Sequence, residues 1–163
     1  MRGRYQDLAE YLVEVAELLE RYGVTLRRPA NDRSLPFLED EAGDLSYELV
    51  GDLPGGASSA RTEVAVRERF LQVGVDLYTR AVYEYELIDH ARDYRRAFHL
   101  HSPDWFERRF LVVVHEHCER PIGNEKCEHY EGSPIRDAYA GVITLMDIWT
   151  GPAPDCSQLR CLG

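Results

Sequence analysis

Residues 77–88 alternate with a period of two: Leu77, Thr79, Ala81, Tyr83, Tyr85 and Leu87 fall on one face, with Arg80, Glu84 and Glu86 on the other. No helix has that period, so a long strand with one apolar face must sit at the heart of this chain. Its neighbours speak the same language. Residues 63–72 alternate loosely, 94–101 and 109–118 follow as two further strands, and Phe110 to Val114 is apolar on both faces, as in a central strand. The Gly123-Asn124 pair is a hairpin-turn signal, with 125–130 returning as a short strand.

A helix stands at each end of this β region. Within residues 3–22, Tyr5, Leu8, Leu12, Val15, Leu19 and Tyr22 recur at three- and four-residue steps, with Gly23 as a natural stop. Glu10, Glu14, Glu17 and Glu20 decorate the rest of it, so the apolar stripe must be buried against a sheet or a partner. A second helix is expected over 133–149. Ser133 serves as its N-cap, Pro134 takes the first helical position, and Ile135, Ala138, Tyr139, Val142, Leu145, Met146 and Trp149 line one face. Gly151 and Pro152 end it.

At 163 residues the chain is expected to be a single domain, 1–163. We divide it into an N-terminal helix unit (1–27), an irregular, flexible connection (28–61), an antiparallel sheet (62–131), a helix (133–149) and a Cys-containing tail (150–163). Pro29, Pro36, Pro54 and the run Gly55-Gly56-Ala57-Ser58-Ser59 break the connection, which holds a short strand near Tyr47–Val50. The fold class is α+β: an antiparallel β-meander of about five strands with an amphipathic helix at the N-terminus and another near the C-terminus.

Charge narrows the partners. The net charge is −10, and residues 1–60 hold 6 Arg against 12 Asp and Glu. Such a chain as a whole repels nucleic acid unless a local face such as Arg92, Arg95, Arg96, Arg108 and Arg109 overrides it. The acidic N-terminal helix is the expected surface for a protein partner or self-association. No apolar run approaches the roughly 20 residues of a membrane span, and the N-terminus lacks a signal-type apolar core. The expected location is cytoplasmic, where thiols are normally reduced.

The chemistry-bearing residues cluster late. His115, His117 and Cys118 are followed after the Gly-Asn turn by Cys127 and His129, with Cys156 and Cys161 in the tail. Imidazole and thiolate together suit zinc or a similar transition metal. Which ligands meet depends on hairpin register. A two-residue turn at Gly123-Asn124 pairs Cys118 with His129 and puts Cys118, Cys127 and His129 on one face, with Cys156 or Cys161 free to complete the shell. A slip of one residue instead gathers His115, His117, Cys127 and His129 and removes Cys118. The first arrangement is a closed structural site and the second an open, imidazole-rich one. A Cys118–Cys127 disulfide, or side chains with no shared role, are the alternatives.

Two further groups deserve weighing. Asp89, His90 and Asp93 lie in a turn that a hairpin pairing of His115 with Arg95 would bring towards His115 and His117. At the opposite end, His99 and His101 share a face beside Arg108 and Arg109, a pattern suited to acid–base cleavage of RNA. The candidate catalytic residues in that reading are His99, His101, Arg95, Arg96 and His115.

The run Tyr83-Glu-Tyr85-Glu-Leu-Ile-Asp89, then Arg95-Arg96-Ala-Phe-His99-Leu-His101, then Val114-His115-Glu-His117 resembles small bacterial toxin components of toxin–antitoxin pairs. The likeness covers about residues 77–149. Where that group carries an Asn-Ala-Pro-His-His type of run, this chain has Ala97-Phe-His-Leu-His. The resemblance implies an RNA-cleaving or hydrolytic toxin-like activity on the histidine- and arginine-rich strands. The first expectation from the residues themselves is a Cys/His zinc site in a structural or protein-interaction role.

Overall fold

The computed structural model describes residues 1–27, 37–54, 61–100, 114–130, 135–152, 155 and 156, with the backbone alone at 127–130. Its centre is the antiparallel pair of β5 (Thr62–Gly74) and β6 (Leu77–Asp89). These long strands meet through a tight turn in which Asp76 adopts φ +49°, and the Asp76 carboxylate accepts the Tyr5 N–H at 3.0 Å. Shifts of register at Arg69/Phe70 and Gln72/Gly74 mark bulges, which sharpen the twist of the pair.

Around this pair the sheet grows on both sides. On one side stand β4 (Leu45–Leu53) and then β2 (Thr25–Leu26), and on the other β7 (Tyr94–Leu100), β8 (Val114–Glu119) and β9 (Glu125–Tyr130). Two-residue strands complete it: β1 (Arg2–Gly3) pairs with β6, and β3 (Leu38–Glu39) with β4. The α+β class is as expected, but the sheet has nine strands among the described residues rather than about five.

Part of the excess comes from the segment read as irregular. Leu45, Tyr47 and Leu53 are buried at alternate positions, so β4 is a full sheet member and extends the expected Tyr47–Val50. Because β4 pairs with β5 along its whole length, residues 55–60 join two neighbouring strands, not a helix unit and a sheet. The flexibility expected there, and the apolar residues Phe110 to Val113, lie outside the described residues.

The two helices among the described residues lie on one face of the sheet. In α1 (Tyr5–Arg21) the buried side chains are Leu8, Tyr11, Leu12, Val15 and Leu19, so the predicted stripe is spent on the sheet. Glu10, Glu14, Glu17 and Glu20 remain exposed. The second helix, α2 (Ala138–Thr150), starts later than its sequence suggests. Asp137 caps it by accepting the Ala140 N–H at 3.0 Å, while Ser133 and Pro134 lie outside the described residues. Gly141 is what lets α2 approach: a Cβ there would stand 2.6 Å from the Tyr85 ring. Tyr85, Leu87, Val66 and Phe98 from the strands interleave with Val142, Leu145 and Met146 to form the core.

Candidate functional site

Strand register decides which polar side chains share the face away from the helices. Glu48, Arg67, Glu84, His99 and His115 stand opposite one another across β4 to β8, and position 129 continues that row on β9. One step along, Val50, Ala65, Glu86, Ala97 and His117 form the next row, continued by position 127. Directly opposed residues in antiparallel strands point to the same side, so this outer face gathers carboxylates, guanidinium groups and imidazoles.

Most of its charges are paired. Arg67 donates to Glu48 at 2.5 Å and Glu84 at 3.2 Å, and reaches Glu86 at 3.4 Å. Arg95 donates to Glu86 at 2.6 Å and also bonds Glu119. Burial holds the Glu84 carboxyl above its ordinary range although Arg67 pulls the other way, and neighbouring Glu86 adds to the rise. Beside this ladder, Ser46, Glu48, Arg67, Arg69, Val82 and Glu84 line a cleft of about 410 Å³.

At the far end of the ladder stand three histidines. The rings of His99 and His115 stack with centres 5.1 Å apart, and His117 meets them edge-on at 4.9 and 4.5 Å. His99 and His115 are buried, and His117 is 18% exposed. The His117 Nδ1 atom lies against the carboxylate of Glu125 on β9. Among the described residues, no three His, Cys, Asp or Glu side chains are set to hold a metal ion as they stand.

The register corrects the first expectation for the hairpin. Cys118 pairs with Lys126 and His115 with His129, across a five-residue connection that includes a cis Arg120–Pro121 bond and places Gly123 at φ +94°. Gly123-Asn124 is thus the end of a longer turn. The partition matches the slipped alternative: His115, His117 and positions 127 and 129 fall in adjoining rows of one face, and Cys118 leaves them. Cys118 lies on the helix side, fully buried, and is joined to Cys156 by a disulfide, with Cα atoms 5.4 Å apart. Cys118 and Cys156 therefore drop out of the expected ligand set, and the bond is neither the Cys118–Cys127 alternative nor a pair of reduced thiols. Cys161 lies outside the described residues.

The other groupings also change. Arg95 pairs with Glu119, not with His115, and His115 meets His99. Asp89 faces the helix side, where it accepts the Ala91 and Arg92 N–H groups and an Arg92 guanidinium bond, while His90 is exposed. Asp89 thus serves its own turn and does not reach His115 and His117. Arg96 is on the helix side, bonded to Glu116 at 2.8 Å, with its guanidinium over the Phe98 ring. His101, Arg108 and Arg109 lie outside the described residues.

A second polar centre was not foreseen. Glu68 on β5 is buried under the helices, accepting the hydroxyls of Tyr47 at 2.6 Å, Tyr11 at 3.4 Å and Tyr85, and an Arg80 guanidinium bond at 2.9 Å. The Tyr11 oxygen in turn accepts the Ala138 N–H at 2.7 Å, and Arg80 donates to the Arg136 carbonyl. Burial first, and the Glu68 charge second, push all three tyrosine hydroxyls well above their ordinary range. One signal for this centre was legible: Glu68 shares the parity of Val64 and Val66, the buried face of its strand.

Among the described residues no helix is long and apolar enough to cross a membrane. Comparison of the chain with family models, with curated proteins and with solved structures finds no match.

Proposed function

We propose that the outer-face imidazole cluster binds a transition-metal ion of the zinc type, in a structural or protein-interaction role. The observation that carries this reading is the mutual approach of His99, His115 and His117, with ring centres 4.5 to 5.1 Å apart. Two imidazoles on one tetrahedral zinc, with Zn–N near 2.0–2.1 Å, have ring centres about 5 Å apart. The rings thus stand at the right separation, and side-chain rotation is what must bring their nitrogens to one point. In the strand register, positions 127 and 129 of β9 pair with His117 and His115.

Such a metal would tie β7, β8 and β9 together, which suits a structural role at the end of the sheet. The exposed glutamates of α1 are the surface we assign to a protein partner or a second copy, since the apolar stripe of that helix is already used. A cytoplasmic location requires the Cys118–Cys156 bond to outlast the reducing thiol pool there. The RNA-cleaving alternative draws less support. Among the described residues Arg95 and Arg96 are each held by carboxylates, while the Arg108 and Arg109 expected to steady the phosphate lie outside them.

Metal content per chain, by elemental analysis of untagged protein purified without chelator, tests the reading. About one zinc per chain, lost in His115→Ala/His117→Ala, is expected. A wild-type chain that takes up none after incubation with zinc would remove it.

A further inference from the structure

We infer that the Cys118–Cys156 disulfide is a redox latch: a dithiol reductant opens it and lets Cys156 leave the sheet, while the strands, α1 and α2 stay folded. The inference is independent of the metal reading. It stands on where Cys156 sits. Tyr94, Cys118 and Cys156 form a small buried cluster of their own beside the main core, with Ile148 of α2 packed against it. Pro152 and Asp155 are exposed, so among the described residues beyond Gly151 only Cys156 is buried. Burying one small side chain offsets little of the entropy lost in ordering the chain around it. The covalent bond is therefore what keeps Cys156 against the sheet.

The end of α2 is held by other means. The Arg92 guanidinium donates to the Gly151 carbonyl at 3.0 Å and to the Ile148 carbonyl at 3.3 Å, and Asp89 accepts from Arg92 at 2.5 Å. A cation on the last carbonyls of a helix also suits its dipole. This clamp uses no sulfur, so opening the bond frees Cys156 and leaves α2 docked.

The two sulfurs are not equivalent. Cys118 is fully enclosed on β8, whereas Cys156 keeps 6% exposure, so an incoming thiolate reaches the Cys156 sulfur. A new S–S bond forms there as the Cys118–Cys156 bond breaks, and Cys118 Sγ leaves with the electron pair and takes up a proton. The second thiolate of the reductant then attacks its own sulfur in the mixed disulfide, and Cys156 leaves as a thiol. Two electrons and two protons pass to the protein, and the dithiol becomes a disulfide. The fold thus does not depend on the bond outlasting a reducing thiol pool. The place of Cys156 does.

The test follows full-length wild type by ¹H–¹⁵N correlation spectra, oxidised and in excess dithiothreitol, beside Cys156→Ser without reductant. On reduction the Asp155 and Cys156 signals should move to random-coil positions, Tyr94 and Ile148 should shift, and the signals of β5, β6 and α1 should stay in place. Cys156→Ser should match the reduced wild type at Asp155, Tyr94 and Ile148, and reoxidation of wild type should restore its first spectrum. Glutathione added briefly to oxidised protein and quenched with acid should be found on Cys156 by mass mapping; glutathione on Cys118 would overturn the assigned point of attack. Reduced protein whose Asp155 and Cys156 signals stay where they were would overturn the latch, since packing alone would then hold Cys156. So would a reduced chain that loses its dispersed spectrum, because the fold itself would then need the bond, or a bond that excess dithiothreitol leaves closed.

Discussion

Glu68 and Arg80 form an ion pair at 2.9 Å beneath both helices, with side chains 0% and 6% exposed. The pair is fed from three sides: Tyr11 brings in α1, Tyr47 and Tyr85 the sheet, and the Arg136 carbonyl the entry to α2. Removing one partner leaves the other as an uncompensated buried charge, which is worse than never having had the pair. Glu68→Ala should therefore destabilise the chain by about 3–5 kcal/mol. Glu68→Gln, which keeps an acceptor for the hydroxyls, should cost less. Urea unfolding followed by circular dichroism measures both. A Glu68→Ala chain as stable as wild type would mean that this centre does not hold the helices.

The same centre fixes a pH dependence. Tyr11, Tyr47 and Tyr85 are held protonated in the fold, their pKa values raised by burial and by Glu68, whereas in the unfolded chain they ionise near pH 10. A raised folded pKa gives stability that is fully present below the unfolded value and lost as pH climbs past it. Stability should fall above about pH 10 by up to about 1.4 kcal/mol per pH unit for each of the three. In the native protein, absorbance at 295 nm should show exposed tyrosines titrating first and Tyr139, raised by burial and by Glu14, near 12. The buried three should appear only with unfolding.

Gly141 faces Tyr85 so closely that a methyl group has nowhere to go. Gly141→Ala gains helix propensity of about 1 kcal/mol, yet overpacking against a buried ring costs about 1–3 kcal/mol. The net should be destabilising, read as a lower melting temperature. A variant more stable than wild type would show that α2 can lift off the sheet at little cost.

The disulfide gives a direct count. Protein alkylated at once on lysis and unfolded without reductant should leave Cys118 and Cys156 unmodified until reductant is added. Mass mapping should place the bond between Cys118 and Cys156. Because it closes 38 residues of chain, its loss should cost up to about 4 kcal/mol in the chain-entropy account. Four free thiols in unreduced protein would contradict this arrangement.

These particulars show where a sequence is readable. The stripe from Leu8 to Leu19 and the alternation around Tyr83 and Tyr85 are local patterns, and each recurs as the expected element, except that the bulge opposite Arg69/Phe70 turns Arg80 to the face of Tyr83 and Tyr85 instead of the opposite one. The β8–β9 register was not local. It depended on whether Gly123-Asn124 was the whole turn or the end of one beginning at Arg120, and a single residue of slip exchanges Cys118 for His115 and His117. The meeting of His99 with His115 required the β7–β8 register as well, across a connection whose length the alternation does not determine. Leu45 and Leu53 were lost among prolines because flanking Pro and Gly outweighed a true strand between them. The Cys118–Cys156 bond joins sheet to tail over 38 residues, a pairing that spacing alone cannot select.

X-ray absorption at the zinc edge of the loaded full-length protein reports directly what surrounds the metal. Imidazole nitrogen at about 2.0–2.1 Å should dominate its ligands, with no more than one sulfur, that of Cys127. A shell with two or more sulfurs near 2.3 Å, or protein that retains no zinc at all, would contradict it.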